Sequence, residues 1–331
     1  MSRPRSPSPS RETFVLGPHV VPRIWVGLWQ LSSSAWGTAS TTKIHDGMAK
    51  HAKLGYDAFD MADHYGAAES LFGGFRKTLP STTTVFGATK WCVFRQIDPS
   101  RTVVECAVRD RIERMNTQSV DLLQFHWQDY SDMGYLTALR ILQDLQKEGL
   151  VSAVGLCNFD AVHTNEICAQ FGSGFIVSNQ VQFSLIDTRP LHGMADICER
   201  HNVKLLAYGT LCGGFLADKW LQQPEPEPYT GSLTPSQRKY LDVILKAWGN
   251  WTLFQTLLVV LRTIGDRHGG RSIANIAIRW VLDHPFVGAV LIGNDTIILS
   301  SKRRFILGTH KALDWEFPNI WTTISMLTDS H

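Results

Sequence analysis

No two of the six cysteines in this chain stand at CxxC or any other metal-type spacing; Cys92, Cys106, Cys157, Cys168, Cys198 and Cys212 are scattered. That pattern fits reduced thiols, so neither a disulfide nor a metal is expected. Charge of one sign is also lacking. The 32 basic and 30 acidic residues leave a formal net charge of +2, which gives no general electrostatic reason to bind nucleic acid or an anionic membrane. No apolar h-region follows the polar and basic start SRPRSPSPSR, so no secretory signal is expected. The longest apolar run, TLFQTLLVVLRTIG, is interrupted by Gln255 and Arg262 and is too short to span a bilayer. The chain is therefore read as cytoplasmic. No GxGxxG opens a first helix, which removes the phosphate loop that a Rossmann reading needs.

What is present is ample apolar material: 44% of the 331 residues are hydrophobic and 19% charged, enough for a large core. Residues 1–11 combine Ser, Pro and Arg without an apolar face and are expected to be a disordered tail. From TFVLG at residues 13–17 onward the chain reads as a small extended piece, then a first strand at Trp25–Gly27. Short β-type runs then alternate with helix-type sequence: AFD, TVFGATK, DLLQFH, VSAVGLCN, FIVSNQVQ, VKLLAYG and a last AVLIG at residues 289–293. Ser33–Leu54 carries apolar residues at helical intervals. A Pro-rich stretch over residues 220–240 reads as a long surface loop, and DVILKAWGNWTLFQTLLVVLRTIGDRHG as one helix. Eight short buried-type strands, all but the last followed by a helix, predict a (β/α)8 barrel over residues 12–331 as a single domain, with long loops and extra helices toward the carboxyl side.

Such barrels carry their sites on the loops after the strands. Polar residues sit at those ends here: Asp60, Lys90, His126, Asn158, Gln180, Tyr208 and Asn294. In GYDAFDMADHYGAAESLFG a carboxylate, Asp60, precedes a phenol, Tyr65, by five residues, while VFGATKW places Lys90 and DLLQFHW places His126 at later strand ends. Singly, each has an ordinary explanation, as a cap, a packed ring or a solvated charge. Together they point to one proton-transfer site.

At these residues, and with FDxAxxYGxAE around two of them, the chain resembles the aldo-keto reductase superfamily from about Arg23 to about Phe317. The resemblance implies an NAD(P)H-dependent oxidoreductase acting on a small-molecule carbonyl, with Asp60, Tyr65, Lys90 and His126 as catalytic residues. Tyr65 would donate a proton to the carbonyl oxygen, Lys90 would favour the phenolate, Asp60 would hold Lys90, and His126 would orient the substrate. It also implies a nicotinamide cofactor lying across the barrel mouth. Asn158 and Gln180 would hold the carboxamide, Tyr208 would stack on the ring, and Gly213 and Gly214 would pass beneath the pyrophosphate. Cys157 departs from the hydroxyl residue usual at its place.

After the last strand the chain reads IGNDTIILSSKRRF, where the family often offers a basic residue, a hydroxyl and then an arginine to a 2′-phosphate. Asp295 stands where a positive charge would help, and Leu299 at the usual arginine. Lys302 and Arg303, with Ser300, Ser301 and Arg304, can supply the phosphate contacts, or can form a solvated helix face. NADP(H) is expected, with NAD(H) as the alternative. Trp29, Trp91, Trp127 and Tyr130, together with Phe94, lie near strand ends and are expected to line a pocket for a bulky or aromatic carbonyl. FHWQDY, SLTPSQRKYL and SIANIAIRWVLDHP resemble a branch of uncharacterised or secondary-metabolite reductases. Two alternatives stay open: non-redox acid-base chemistry, such as cyclisation or dehydration, and a cofactor-sensing regulatory or binding protein.

Overall fold

The computed structural model describes residues 12–229, 231 and 233–293. The expected tail at 1–11 and the residues from Asn294 onward lie outside them. A hairpin of β1 (Thr13–Leu16) and β2 (His19–Pro22) opens the fold, paired antiparallel. The eight strands that follow in the barrel are β3 (Ile24–Gly27), β4 (Ala58–Asp60), β5 (Phe86–Val93), β6 (Leu122–Trp127), β7 (Val154–Cys157), β8 (Ile176–Gln182), β9 (Lys204–Tyr208) and β10 (Val287–Gly293). All neighbours pair in parallel, and β10 returns to β3 to close the ring. Between them run α1 (Thr41–Leu54), α2 (Ala68–Thr78), α3 (Arg101–Arg114), α4 (Gly134–Lys147), α5 (Ala161–Phe171), α6 (Met194–His201), α7 (Pro235–Val243), α8 (Trp251–Arg267) and α9 (Ile273–Leu282). This is a (β/α)8 barrel. Its strands are short apolar runs because both faces are buried, one by the interior and one by the helices.

The hairpin is the barrel's floor. Leu16 and Val21 pack with Trp25, Ala58, Ala88, Leu122, Ala153, Leu206 and Ala289, an apolar layer at the amino-terminal ends of the strands. Arg23 fixes that end by donating to the carbonyls of Leu282, Val287 and Gly288, and Glu12 bridges it to Arg279. With the bottom sealed, the cavity among the described residues lies at the opposite end of the strands.

Three local expectations change. Helix α1 starts at Thr41 rather than at Ser33, because the Ser40 side chain caps it and two short 3-10 turns occupy Trp29–Ser32 and Ser34–Trp36. The Pro-rich loop ends at Thr234, whose side chain and that of Gln237 form a capping box, with Pro235 at the first helical position. The long helix expected from Asp242 is two helices. A π turn over Ile244–Trp248 runs into Gly249 at φ 148, where Asn250 caps a new start, and the axes differ by 101°. No single described helix is long and apolar enough to cross a membrane; this bent pair passes only by length and composition.

Helices α2 and α3 approach closely at Gly73, where an added Cβ would sit 2.2 Å from the Arg114 carbonyl oxygen and 2.8 Å from the Met115 carbonyl carbon. Backbone atoms cannot swing aside. Gly73→Ala is expected to destabilise the fold by about 1–3 kcal/mol, read as a lower denaturant midpoint at unchanged m-value. An unchanged midpoint would contradict the packing described.

Candidate active site

Side chains alternate along a strand, so one step of two residues carries the barrel interior from apolar to polar. Ala58 leads to Asp60, Ala88 to Lys90 and Leu122 to Gln124, and Gln180 joins them from β8. The four side chains meet on the barrel axis. Lys90 Nζ donates to Asp60 Oδ2 at 2.6 Å and to the Met61 carbonyl at 2.9 Å. Asp60 Oδ1 accepts from Gln124 Nε2 at 2.8 Å and from Gln180 Nε2 at 2.7 Å, and Gln180 Nε2 also reaches Gln124 Oε1 at 2.6 Å. The Lys90 and Asp60 side chains are only 3% and 4% exposed, so their charges are compensated by these partners and not by water.

Tyr65 stands above the pair. The Lys90 ammonium lies 4.9 Å from the Tyr65 ring centroid. Burial pushes the Tyr65 phenol up from its ordinary value, with Asp60 acting the same way, while Lys90 opposes them by charge and hydrogen bond. Lys90 therefore works in the expected direction, but burial prevails and the phenol keeps its proton at neutral pH. Burial alone would lower the Lys90 pKa; the Asp60 carboxylate beside it more than offsets this, and the ammonium stays charged. Burial, His64 and Lys90 lower the His126 pKa, so its imidazole is neutral at pH 7. A neutral ring keeps one N–H to donate.

The loop between Asp60 and α2 is latched onto β5. Asp63 Oδ2 accepts the backbone N–H of Cys92 at 3.0 Å and a guanidinium N–H of Arg111, whose Nε donates to the Lys90 carbonyl at 3.1 Å. Burial would raise the Asp63 pKa, but His64, Arg111 and the Cys92 N–H hold the carboxyl below its ordinary value. Next to it, buried Glu69 of α2 accepts from Thr89 Oγ1 and Arg114. Tyr65 is thus positioned from both sides of its loop.

Above these residues lies a cavity of about 370 Å³, and Asp60, Tyr65, Lys90, His126, Asn158, Gln180, Tyr208, Gly213, Gly214 and Trp29 all line it. Asn158, at φ 61, turns its Oδ1 toward Tyr208, whose hydroxyl donates to it at 3.0 Å. Gly213 has φ 65, and an added Cβ would meet the Ser236 backbone at 2.9 Å, so α7 packs directly on this turn. Gly214, at φ 90, has nothing within 4 Å of an added Cβ, leaving open space over its backbone. This turn can admit a phosphate, and the Asn158–Tyr208 pair offers an amide and a ring; the residues present fit a nicotinamide cofactor. Lys302 and Arg303 lie outside the described residues.

Trp91, Trp127 and Tyr130 do not line the cavity. Lys90 and His126 point inward, so Trp91 and Trp127, the next residues on the same strands, point outward into the core between strands and helices. Trp127 Nε1 donates to the Asp129 carbonyl there at 2.8 Å. Tyr130 stacks on His163 at 4.1 Å and donates to the Asn158 carbonyl at 3.2 Å. The aromatic wall is instead Trp29, Trp36, His64 and Phe94, with Trp29 and Trp36 edge to face at 5.2 Å. Sequence reasoning misses Trp36 and His64 of this wall, and also Gln124, although QFH places Gln124 two residues before His126 on the same strand face.

The sequence matches the Aldo/keto reductase family over residues 23–299. The aldo-keto reductase YhdN of Bacillus subtilis is 24% identical over 280 residues, covering 82% of this chain and 80% of that protein. An uncharacterized oxidoreductase of Mycobacterium tuberculosis is 27% identical over 275 residues, with 82% and 80% coverage. Flagellar radial spoke protein 5 of Chlamydomonas reinhardtii is 28% identical over 184 residues, 50% of this chain, and the match spans only 34% of that protein. Among solved structures, a glycerol dehydrogenase of Gluconobacter oxydans superposes with a TM-score of 0.69 at 23% identity, covering 86% of each chain. An aldo-keto reductase of Bacillus halodurans in its holo form gives 0.65 at 22% identity, covering 87% of this chain and 88% of the other. The closed barrel, the polar layer on its axis and the family match over most of its length agree: the chain belongs to the aldo/keto reductase family of NAD(P)H-dependent oxidoreductases.

Proposed function

We propose that the chain reduces a bulky or aromatic aldehyde or ketone with NADP(H), and that Tyr65 donates the proton. The observation that carries this reading is the buried Lys90–Asp60 pair, held by Gln124 and Gln180 directly beneath Tyr65 at the floor of the cavity. When bound, the cofactor supplies a hydride to the carbonyl carbon. His126, neutral and at the wall, donates a hydrogen bond to the carbonyl oxygen and turns it toward the Tyr65 hydroxyl. The phenol then gives its proton to that oxygen, and the Lys90 ammonium stabilises the phenolate left behind.

Tyr208 and Asn158 present a flat ring and an amide to the nicotinamide. Gln180 commits its Nε2 to Asp60 and Gln124, which leaves its carbonyl oxygen for a carboxamide N–H. Gly213 and Gly214 let the backbone approach the pyrophosphate, and Lys302 and Arg303 are assigned to the 2′-phosphate. Trp29, Trp36 and Phe94 supply an apolar wall that favours a large carbonyl over a small polar one.

Tyr65→Phe removes the proton donor without emptying the cavity. With a carbonyl that the parent reduces, its kcat is expected to fall by about 100-fold or more while NADPH affinity stays close to the parent's; full turnover would refute the assignment. Quenching of tryptophan fluorescence should report tighter binding of NADPH than of NADH. The double change Lys302→Ala and Arg303→Ala should weaken NADPH by about tenfold or more and leave NADH unchanged. Equal affinity for both cofactors would remove the 2′-phosphate from the account. Failure to bind either would favour the non-redox alternative.

A further inference from the structure

The loop after β4 and the end of β5 bring together three donor types that spacing in the sequence does not show. Asp63 offers a carboxylate oxygen, His64 a ring nitrogen and Cys92 a sulfur, and the three donor atoms lie within 4.8 Å of one another. We propose that Asp63, His64 and Cys92 form a binding site for a soft divalent cation of the zinc class, placed in the wall of the catalytic cavity. Donors around tetrahedral zinc, bonded at about 2.0–2.3 Å, stand about 3.3–3.8 Å apart. With the donor atoms no more than 4.8 Å apart, they stand within about 1 Å of that spacing.

The surroundings favour such a site in several ways. Asp63 Oδ2 is held by Arg111 and the Cys92 N–H, so the carboxylate is fixed and presents Oδ1, which faces His64 Nδ1 at 3.3 Å. Cys92 follows Lys90 by two residues on β5 and therefore points to the interior, where it and His64 both line the cavity. The fourth position opens into that cavity, and water can fill it. Arg111 costs some affinity by its charge, while a carboxylate and a thiolate together match a dication. Binding forms the metal–sulfur bond, breaks S–H and releases the proton to solvent.

A cation here also bears on turnover. His64 packs edge to face on Tyr65 at 4.8 Å and on Phe94 at 5.1 Å, and it acts electrostatically on His126. An ion drawing His64 toward Cys92 adds positive charge beside Lys90 and narrows the approach to Tyr65. Zinc is therefore an inhibitor of the reaction proposed above, and only this consequence rests on that reading.

The test uses the full chain with Co²⁺ and Zn²⁺ as probes. Co²⁺ should bind with a thiolate charge-transfer absorption that Zn²⁺ displaces. Cys92→Ser should abolish that absorption, and both Cys92→Ser and His64→Ala should weaken binding by about tenfold or more, with Cys106→Ser as the exposed-thiol control that changes nothing. Circular dichroism of each variant guards against misfolding. Binding weaker than about 1 mM in the parent, or equal binding in all variants, would overturn the proposal. Zinc should also inhibit carbonyl reduction at the concentration at which it binds, with recovery on adding a chelator. If no carbonyl is turned over, the binding arm still decides the site; if zinc binds but leaves a working enzyme unaffected, the inhibitory role is overturned.

Discussion

A lysine ammonium and an aspartate carboxylate sit together on the axis of this barrel, almost out of reach of water. Desolvating the two ions costs several kcal/mol each, and their attraction offsets this only while the remaining lone pairs and protons are satisfied. Gln124, Gln180 and the Met61 carbonyl provide that satisfaction. Removing one member of such a pair typically costs about 3–5 kcal/mol, because the other is left charged and unpaired. The arrangement therefore constrains β4, β5, β6 and β8 at once. It also places the Lys90 ammonium 4.9 Å from the centre of the Tyr65 ring.

The barrel makes this layer possible by sealing its other end. The β1–β2 hairpin and the layer of Trp25, Ala58, Ala88 and Leu122 keep the bottom dry, and the polar layer follows one strand step above. Beyond it the loops diverge: the Asp63–Arg111 latch fixes the Tyr65 loop, and α7 closes on the Gly213 turn. Water exclusion below, charge in the middle and a shaped opening above are consecutive steps along the same strands.

Much of this was legible from residue order. Eight short apolar runs with polar ends pointed to the barrel, since only parallel strands covered on both faces read that way. Asp60, Lys90 and His126 were visible because each ends such a run. Strand alternation explains both the residue overlooked and two of those misplaced. Gln124 shares the inward face with His126, whereas Trp91 and Trp127 follow inward-facing residues and must face the helices. Tyr130 is set by the loop beyond β6, which has no periodicity to read. The break at Gly249 was hidden by continuous apolar periodicity on both sides, which a glycine in an unusual backbone conformation overrides. The gathering of Asp63, His64 and Cys92 had no signal in spacing, because it depends on how a loop folds back onto β5.

In the proposed mechanism the Asp60 carboxylate, by keeping the buried Lys90 charged, enables proton transfer from Tyr65. Single-turnover hydride transfer in Asp60→Asn is the decisive measurement, followed as loss of NADPH fluorescence at saturating carbonyl and scaled to the folded fraction. The amide retains the size of the side chain but removes its charge. A rate lower by about 100-fold or more, with NADPH binding retained, is the result predicted. An unchanged rate in the folded variant would contradict the account.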